Sequence, residues 1–189
     1  MSSVHLILPI ACIGCRISKK SPSQPRAGRR KRGLFSTMST NMHDMFFLSN
    51  NMCEIEKGLF LGAYCHTCDR EKLKSSNITH VLSVANLRPT YPDEFIYKVI
   101  DVLDMPDASI KNHFDECFEF IDEAKRRGGS VLVHCFMGVS RSVTVVVAYL
   151  MKKRGMSLSQ ALEHVKQRRP QASPNIGFIQ QLQDFQNSL

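Results

Sequence analysis

Cys135 and Arg141 stand six positions apart in Val133-His134-Cys135-Phe136-Met137-Gly138-Val139-Ser140-Arg141-Ser142. A thiol and a guanidinium at that spacing suit chemistry on a phosphate-sized anion, provided that the residues between them form a tight loop leading into a helix. The first turn of a helix has unpaired N–H groups and a partial positive charge, so it binds anions. Phe136, Met137, Gly138, Val139 and Ser140 would curl their amides inward, with Gly138 giving the backbone freedom to bend. Arg141 offers a planar fork that meets two phosphate oxygens at once. The same positive field favours the thiolate of Cys135, the form that attacks phosphorus. A cysteine alone between two core elements is more often an inert buried thiol; cysteine, glycine and arginine together argue for a nucleophile. The leaving oxygen needs a proton, and Asp101-Val-Leu-Asp104-Met-Pro-Asp107 offers three carboxyl groups that could give it.

The elements that must position these groups are legible as patterns. Val131 to His134 is a short, almost wholly apolar run, the mark of a strand buried on both faces. Ser142 to Arg154 is apolar nearly all round, as a buried central helix should be. Ile55 to Gly62, Thr79 to Ala85 and Ile96 to Leu103 read as further strands, the last entered after the turn residues Arg88 to Pro92. Helices are expected over Asp69 to Ser75, over His113 to Arg127 with its apolar stripe Phe114, Cys117, Phe118, Ile121 and Ala124, over Leu158 to Arg169, and from Ile176 to the end. Strands alternating with helices imply an α/β fold: a central, mostly parallel twisted sheet with helices on both faces, in a single domain spanning residues 51–189.

The 25 lysines and arginines against 17 acidic residues are unevenly placed. Before Asp44 there are eight basic residues and no acidic one, which leaves 17 of each afterwards. The domain is therefore neutral overall and has no excess charge to track a nucleic-acid backbone. Residues 1–50 show no sustained period and are expected to be a disordered basic tail. Its cluster Gly28-Arg-Arg-Lys-Arg-Gly33 has three open readings: a nuclear-import or acidic-surface patch, part of an organelle-import segment, or a solvated tail. An acidic partner or a membrane surface is the contact such a tail would make. The apolar run Val4 to Ile13 is about half of the roughly 20 residues a spanning helix needs, so no transmembrane segment is expected. Seven spread cysteines do not resemble a secreted disulfide framework, which points to cytoplasm, nucleus or both.

The Cys-x5-Arg signature from His134 to Ser142 resembles the phosphate loop of the protein tyrosine phosphatases. Ala148-Tyr149-Leu150-Met151 and Arg169-Pro170-Gln-Ala-Ser-Pro-Asn175-Ile-Gly177-Phe178 are similar to the dual-specificity branch, in particular its small plant members, and the likeness runs from about Glu54 to Ser188. This resemblance implies the compact phosphatase fold, a shallow pocket open to phosphotyrosine and to phosphoserine or phosphothreonine, and no cofactor or metal. It implies Asp104 as the general acid, because Ile110 and Phe114 then fall where the family has its helix-opening apolar residue and its following phenylalanine. Asp101 and Asp107 become solvated or capping carboxylates. Ser142 matches the hydroxyl that helps the thiolate depart, His134 the histidine that bonds around the loop, and Asn175 the asparagine that supports the phosphate-binding region. Asn175 also reads as an ordinary helix cap before Ile176. Phosphoprotein substrates follow, mitogen-activated protein kinases among them.

Other readings carry less. Lipid-directed relatives tend to place lysines in the loop, whereas Phe136 to Ser140 is uncharged. A non-catalytic phosphopeptide-binding module would not need Cys135, Arg141 and Asp104 together. The pairs Cys12/Cys15 and Cys65/Cys68 are too far apart for the usual zinc doublets. Cys65, Cys68 or Cys117 could instead serve as a resolving thiol for oxidised Cys135.

Overall fold

Every residue of Ser130–Cys135 (β5) is buried, as a strand covered on both faces must be. The computed structural model describes residues 51–189 and sets this strand at the centre of a five-stranded sheet ordered β1-β2-β5-β3-β4. The others are Cys53–Glu56 (β1), Leu59–Ala63 (β2), Ile78–Ser83 (β3) and Ile96–Val99 (β4). β5 pairs in parallel with β2 and β3, β3 with β4, and only β1 runs antiparallel. The mostly parallel sheet expected from the alternating pattern is the one observed.

Five helices follow among the described residues: Arg70–Ser75 (α1), Phe114–Arg126 (α2), Arg141–Arg154 (α3), Leu158–Arg168 (α4) and Ile176–Asn187 (α5). Three of their ends have a clear local cause. Asp69 accepts from the Lys72 N–H, and Ser157 and Gln160 close a reciprocal cap on α4. Gly155 ends α3 with φ +64°, a left-handed turn that costs glycine nothing. The helices cover the two faces unequally. Val131 and Val133 of β5 face a large core packed by α2 to α5, while Leu132 faces a small one with Leu73 of α1, Val81 and Phe95. On the large side Phe114 lies 5.8 Å from the Phe118 ring and edge-on to Phe185 at 5.0 Å. Truncating such a ring to alanine costs about 3–5 kcal/mol. Ser142 to Met151 of α3 are all buried, so packing rather than propensity holds a helix rich in valine.

Two expectations need correction. Ile55 to Gly62 is not one strand but the hairpin of β1 and β2. The chain reverses at Gly58, whose φ of +77° is open to glycine and whose N–H donates to the Glu54 carboxylate. The strand expected over Ile96 to Leu103 stops at Val99: β4 is an edge strand, and the β3 residues it pairs with end at Ser83. The basic tail, its Arg-Lys cluster and the Cys12/Cys15 pair lie outside the described residues.

Candidate active site

Cys135 is the last residue of the central strand and Arg141 the first of α3, so residues 136–140 alone join strand to helix. This is the carboxyl edge of a parallel sheet, where α/β folds hold their ligands. The loop's shape follows from where its carbonyls go. The Phe136 carbonyl accepts from Tyr64 N–H (3.1 Å), that of Met137 from Arg169 Nη2 (3.2 Å) and that of Gly138 from Arg169 Nε (2.6 Å). Val139 accepts from Ser173 N–H (2.8 Å) and Ser140 from both the N–H and the hydroxyl of Thr144 (2.9 Å each). Four consecutive carbonyls are engaged from other segments and that of Ser140 opens the α3 ladder, which leaves the Gly138 N–H turned toward the sulfur. Gly138 makes this possible: its φ is +69°, and a Cβ there would stand 2.3 Å from the Gly62 carbonyl oxygen.

The cradle closes on the sulfur. Gly138 N–H donates to Cys135 Sγ at 3.2 Å and the Ser142 hydroxyl at 3.3 Å, two donors that suit negative charge on sulfur. His134 is buried in the same strand, with Nδ1 3.3 Å from the Cys135 carbonyl oxygen, and burial pushes it down to about 4. It is therefore neutral near pH 7, and its Nδ1–H donates to that carbonyl. Behind the loop stands Arg169, fully buried, which also donates to the Asn51 carbonyl (3.1 Å). Arg169 opens the motif that runs to Phe178, but residue type and spacing assign it no task. Its one visible signal was a long cation placed directly before Pro170 at a helix end.

The acid segment reaches the loop from the other side. Asp104 Oδ1 accepts from the Ser140 hydroxyl at 2.6 Å and from Asn175 Nδ2 at 2.9 Å, while Asn175 N–H donates to the same Ser140 hydroxyl at 3.1 Å. Three residues far apart in the chain thus form one ring of hydrogen bonds beside the cradle. Asn175 does a second thing as well, capping α5 by accepting from Phe178 N–H at 2.9 Å. It supports the carboxylate directly, and the brace behind the loop is Arg169. Arg141 spans loop and acid segment: Nη1 donates to the Val102 carbonyl (3.2 Å) and Nε lies 3.5 Å from Asp104 Oδ2, an ion pair without hydrogen-bond geometry. Gly177 lets α5 approach, since a Cβ there would fall 1.8 Å from the Pro106 carbonyl oxygen. The structure therefore brings Cys135, Arg141, Asp104, Ser142, Asn175 and residues 136–140 together. Asp101 accepts from Asn86 (2.9 Å), and Asp101 and Asp107 both line a neighbouring recess. Ser140's hydroxyl, expected only as part of the loop backbone, was missed as a contact of the acid.

Of the cysteines considered as resolving thiols, Cys117 lies wholly buried on α2, and burial pushes its thiol up to about 12, so it is a neutral core residue. Cys65 and Cys68 are exposed on the 3-10 turn after β2. Among the described residues no three His, Cys, Asp or Glu side chains cluster so as to hold a metal ion. No helix there is long and apolar enough to cross a membrane.

A sulfur and a guanidinium at the mouth of an amide-lined loop, on the carboxyl edge of a parallel sheet, define an enzyme of phosphate monoesters. The chain belongs to the dual specificity phosphatases: residues 59–188 match the family described as "Dual specificity phosphatase, catalytic domain". It is 62% identical over 136 residues to dual specificity protein phosphatase 1 of Arabidopsis thaliana, covering 71% of this chain and 69% of that one. It is 54% identical over 157 residues to dual specificity protein phosphatase 1B of the same plant, covering 82% and 94%. The crystal structure of DUSP15 superposes with a TM-score of 0.70 at 40% identity, covering 72% of this chain and 88% of that one.

Proposed function

We propose that this phosphatase hydrolyses phosphotyrosine and phosphoserine or phosphothreonine in proteins through a phosphocysteine on Cys135. The observation that carries the reading is the position of Cys135 Sγ, under the Gly138 N–H and the Ser142 hydroxyl inside a loop whose carbonyls all point away. In the first step the sulfur forms a bond to phosphorus as the bond from phosphorus to the substrate oxygen breaks. Asp104 donates a proton to that oxygen, and the loop amides with Arg141 hold the three remaining oxygens. In the second step water attacks phosphorus, Asp104 takes back a proton, and the sulfur leaves as thiolate with the Ser142 hydroxyl donating to it.

Ser140 and Asn175 place the Asp104 carboxyl beside the mouth, and Arg169 fixes the loop from behind. The uncharged residues Phe136 to Ser140 favour one phosphate at a time over a multiply phosphorylated lipid head. Mitogen-activated protein kinases are the substrates we propose within this class, on family membership alone. Cys135→Ser tests the nucleophile: turnover of phosphopeptides should vanish while their binding persists, because the amides and Arg141 remain. Substantial turnover by that variant overturns the mechanism.

A further inference from the structure

Five of the eight exposed large apolar side chains among the described residues belong to the three segments that meet at the site. Leu103 (65% exposed) and Met105 (50%) flank Asp104, Phe136 (58%) and Met137 (63%) belong to the loop, and Ile176 (75%) follows Asn175. The three segments are far apart in sequence and are drawn together by the Asp104–Ser140–Asn175 hydrogen bonds and by the contact of Gly177 with Pro106. Single apolar residues on a surface need no explanation, whereas several gathered on adjoining segments around a reactive site mark a place of contact. The occupant is set by the reaction. For the phosphoryl group to reach Cys135, the chain that bears it must lie across this rim, so the rim meets the substrate's neighbouring residues in every turnover.

The rim's chemistry then limits those neighbours. None of the segments 102–106, 136–140 and 174–178 contains a lysine or arginine. Arg141, which stands between them, is committed to the phosphate. On the Leu103 and Met105 side the rim borders a recess of about 300 Å³ that also has Asp101, Asp107 and His113 in its wall, the histidine already paired with Glu116 at 2.8 Å. Acidic substrate neighbours find no lysine or arginine there and meet two carboxylates, with the one histidine engaged by Glu116, whereas large apolar neighbours are removed from water. We infer that the rim selects phosphoprotein segments in which the residues beside the phosphorylated one are large and apolar, and that it disfavours segments with acidic neighbours. This rests on the phosphatase reading of the site and goes on to name its substrate class.

The test is a set of phosphotyrosine peptides, identical except for leucine, serine or glutamate on each side of the phosphotyrosine, with an activated aryl phosphate as control. All are assayed with the full chain and with Leu103→Ser and Ile176→Ser. The leucine-flanked peptide should exceed the glutamate-flanked one about tenfold in kcat/KM, the worth of roughly one buried apolar side chain. Each variant should reduce that advantage about threefold or more while turnover of the aryl phosphate stays unchanged. Equal rates for the three peptides, or a glutamate preference, overturn the inference. So does binding to phosphatidylcholine vesicles, or self-association in sedimentation, that Ile176→Ser abolishes without any change in peptide preference. Failure to hydrolyse the aryl phosphate at all would instead sink the phosphatase reading, so the two failures are distinguishable.

Discussion

The two halves of the site are held in different ways. The loop 136–140 is fixed through its backbone: four consecutive carbonyls bond to groups of other segments and the fifth starts α3, one glycine sits where no Cβ fits, and a buried arginine spans two of the carbonyls. The acid segment, residues 101–109, forms no helix or strand and is held chiefly by side chains. Ser140 and Asn175 grip Asp104, Arg141 reaches the Val102 carbonyl, and Gln181 donates to the Ala108 carbonyl. The first construction gives a rigid anion site that serves any phosphate monoester. The second places one carboxyl through a few replaceable contacts, and it matters to the degree that the leaving oxygen needs a proton.

That contrast predicts two kinds of variant, separated by the substrate's leaving group. Asp104→Asn should have the largest selective effect, lowering kcat by about 10²–10⁴ on phosphopeptides with poor leaving groups and far less on an activated aryl phosphate. If Asp107→Asn shows that pattern instead, the acid has been misassigned. Gly138→Ala should lower turnover of every substrate alike, by roughly 10², because a displaced loop amide misplaces any phosphate. A dependence on leaving group in that variant would break the comparison. Ser140→Ala removes one hydrogen bond to Asp104 and should cost roughly 5–10-fold on poor leaving groups only. An equal loss on the aryl phosphate would mean that the hydroxyl serves the loop rather than the acid.

A separate effect, outside catalysis, concerns stability. Burial holds His134 near 4 in the folded protein, against about 6.5 when exposed, so the unfolded chain binds the extra proton between those values. Stability is full above about pH 6.5 and falls as pH drops toward 4, by at most about 3 kcal/mol from this group. His80, also lowered by burial, acts in the same direction. Thermal midpoints recorded from about pH 7 down to about pH 5 should decline; a flat or rising profile contradicts this.

What was legible in the sequence was what is local. Cys135, Gly138 and Arg141 lie within seven residues, and the strand before them and the helix after them are mostly apolar and buried, so the loop and its setting could be read directly. The β1–β2 hairpin was not readable as such, because the apolar residues Ile55, Leu59 and Leu61 keep their alternation across Gly58 and mask the reversal. Arg169 was hidden by distance: it meets Gly138 from 31 positions away, and nothing in a cation before Pro170 says that it is buried. The Ser140 hydroxyl was hidden by company, since a serine in a phosphate loop is sufficiently explained by its backbone. Asp104 stood between these cases. Residue types gave three candidate carboxyls, family spacing chose one, and only the fold shows it bonded to Ser140 and Asn175.

The most direct test of the whole account is to catch the intermediate. The 189-residue chain, and a Ser142→Ala variant in which departure of the sulfur should be slowed, would be mixed with a phosphotyrosine peptide, quenched within one turnover and mapped by peptide mass spectrometry. The account predicts phosphate on the Cys135 sulfur in both, and more of it in the Ser142→Ala variant. Phosphate on another residue, or steady turnover with Cys135 never modified, would contradict it.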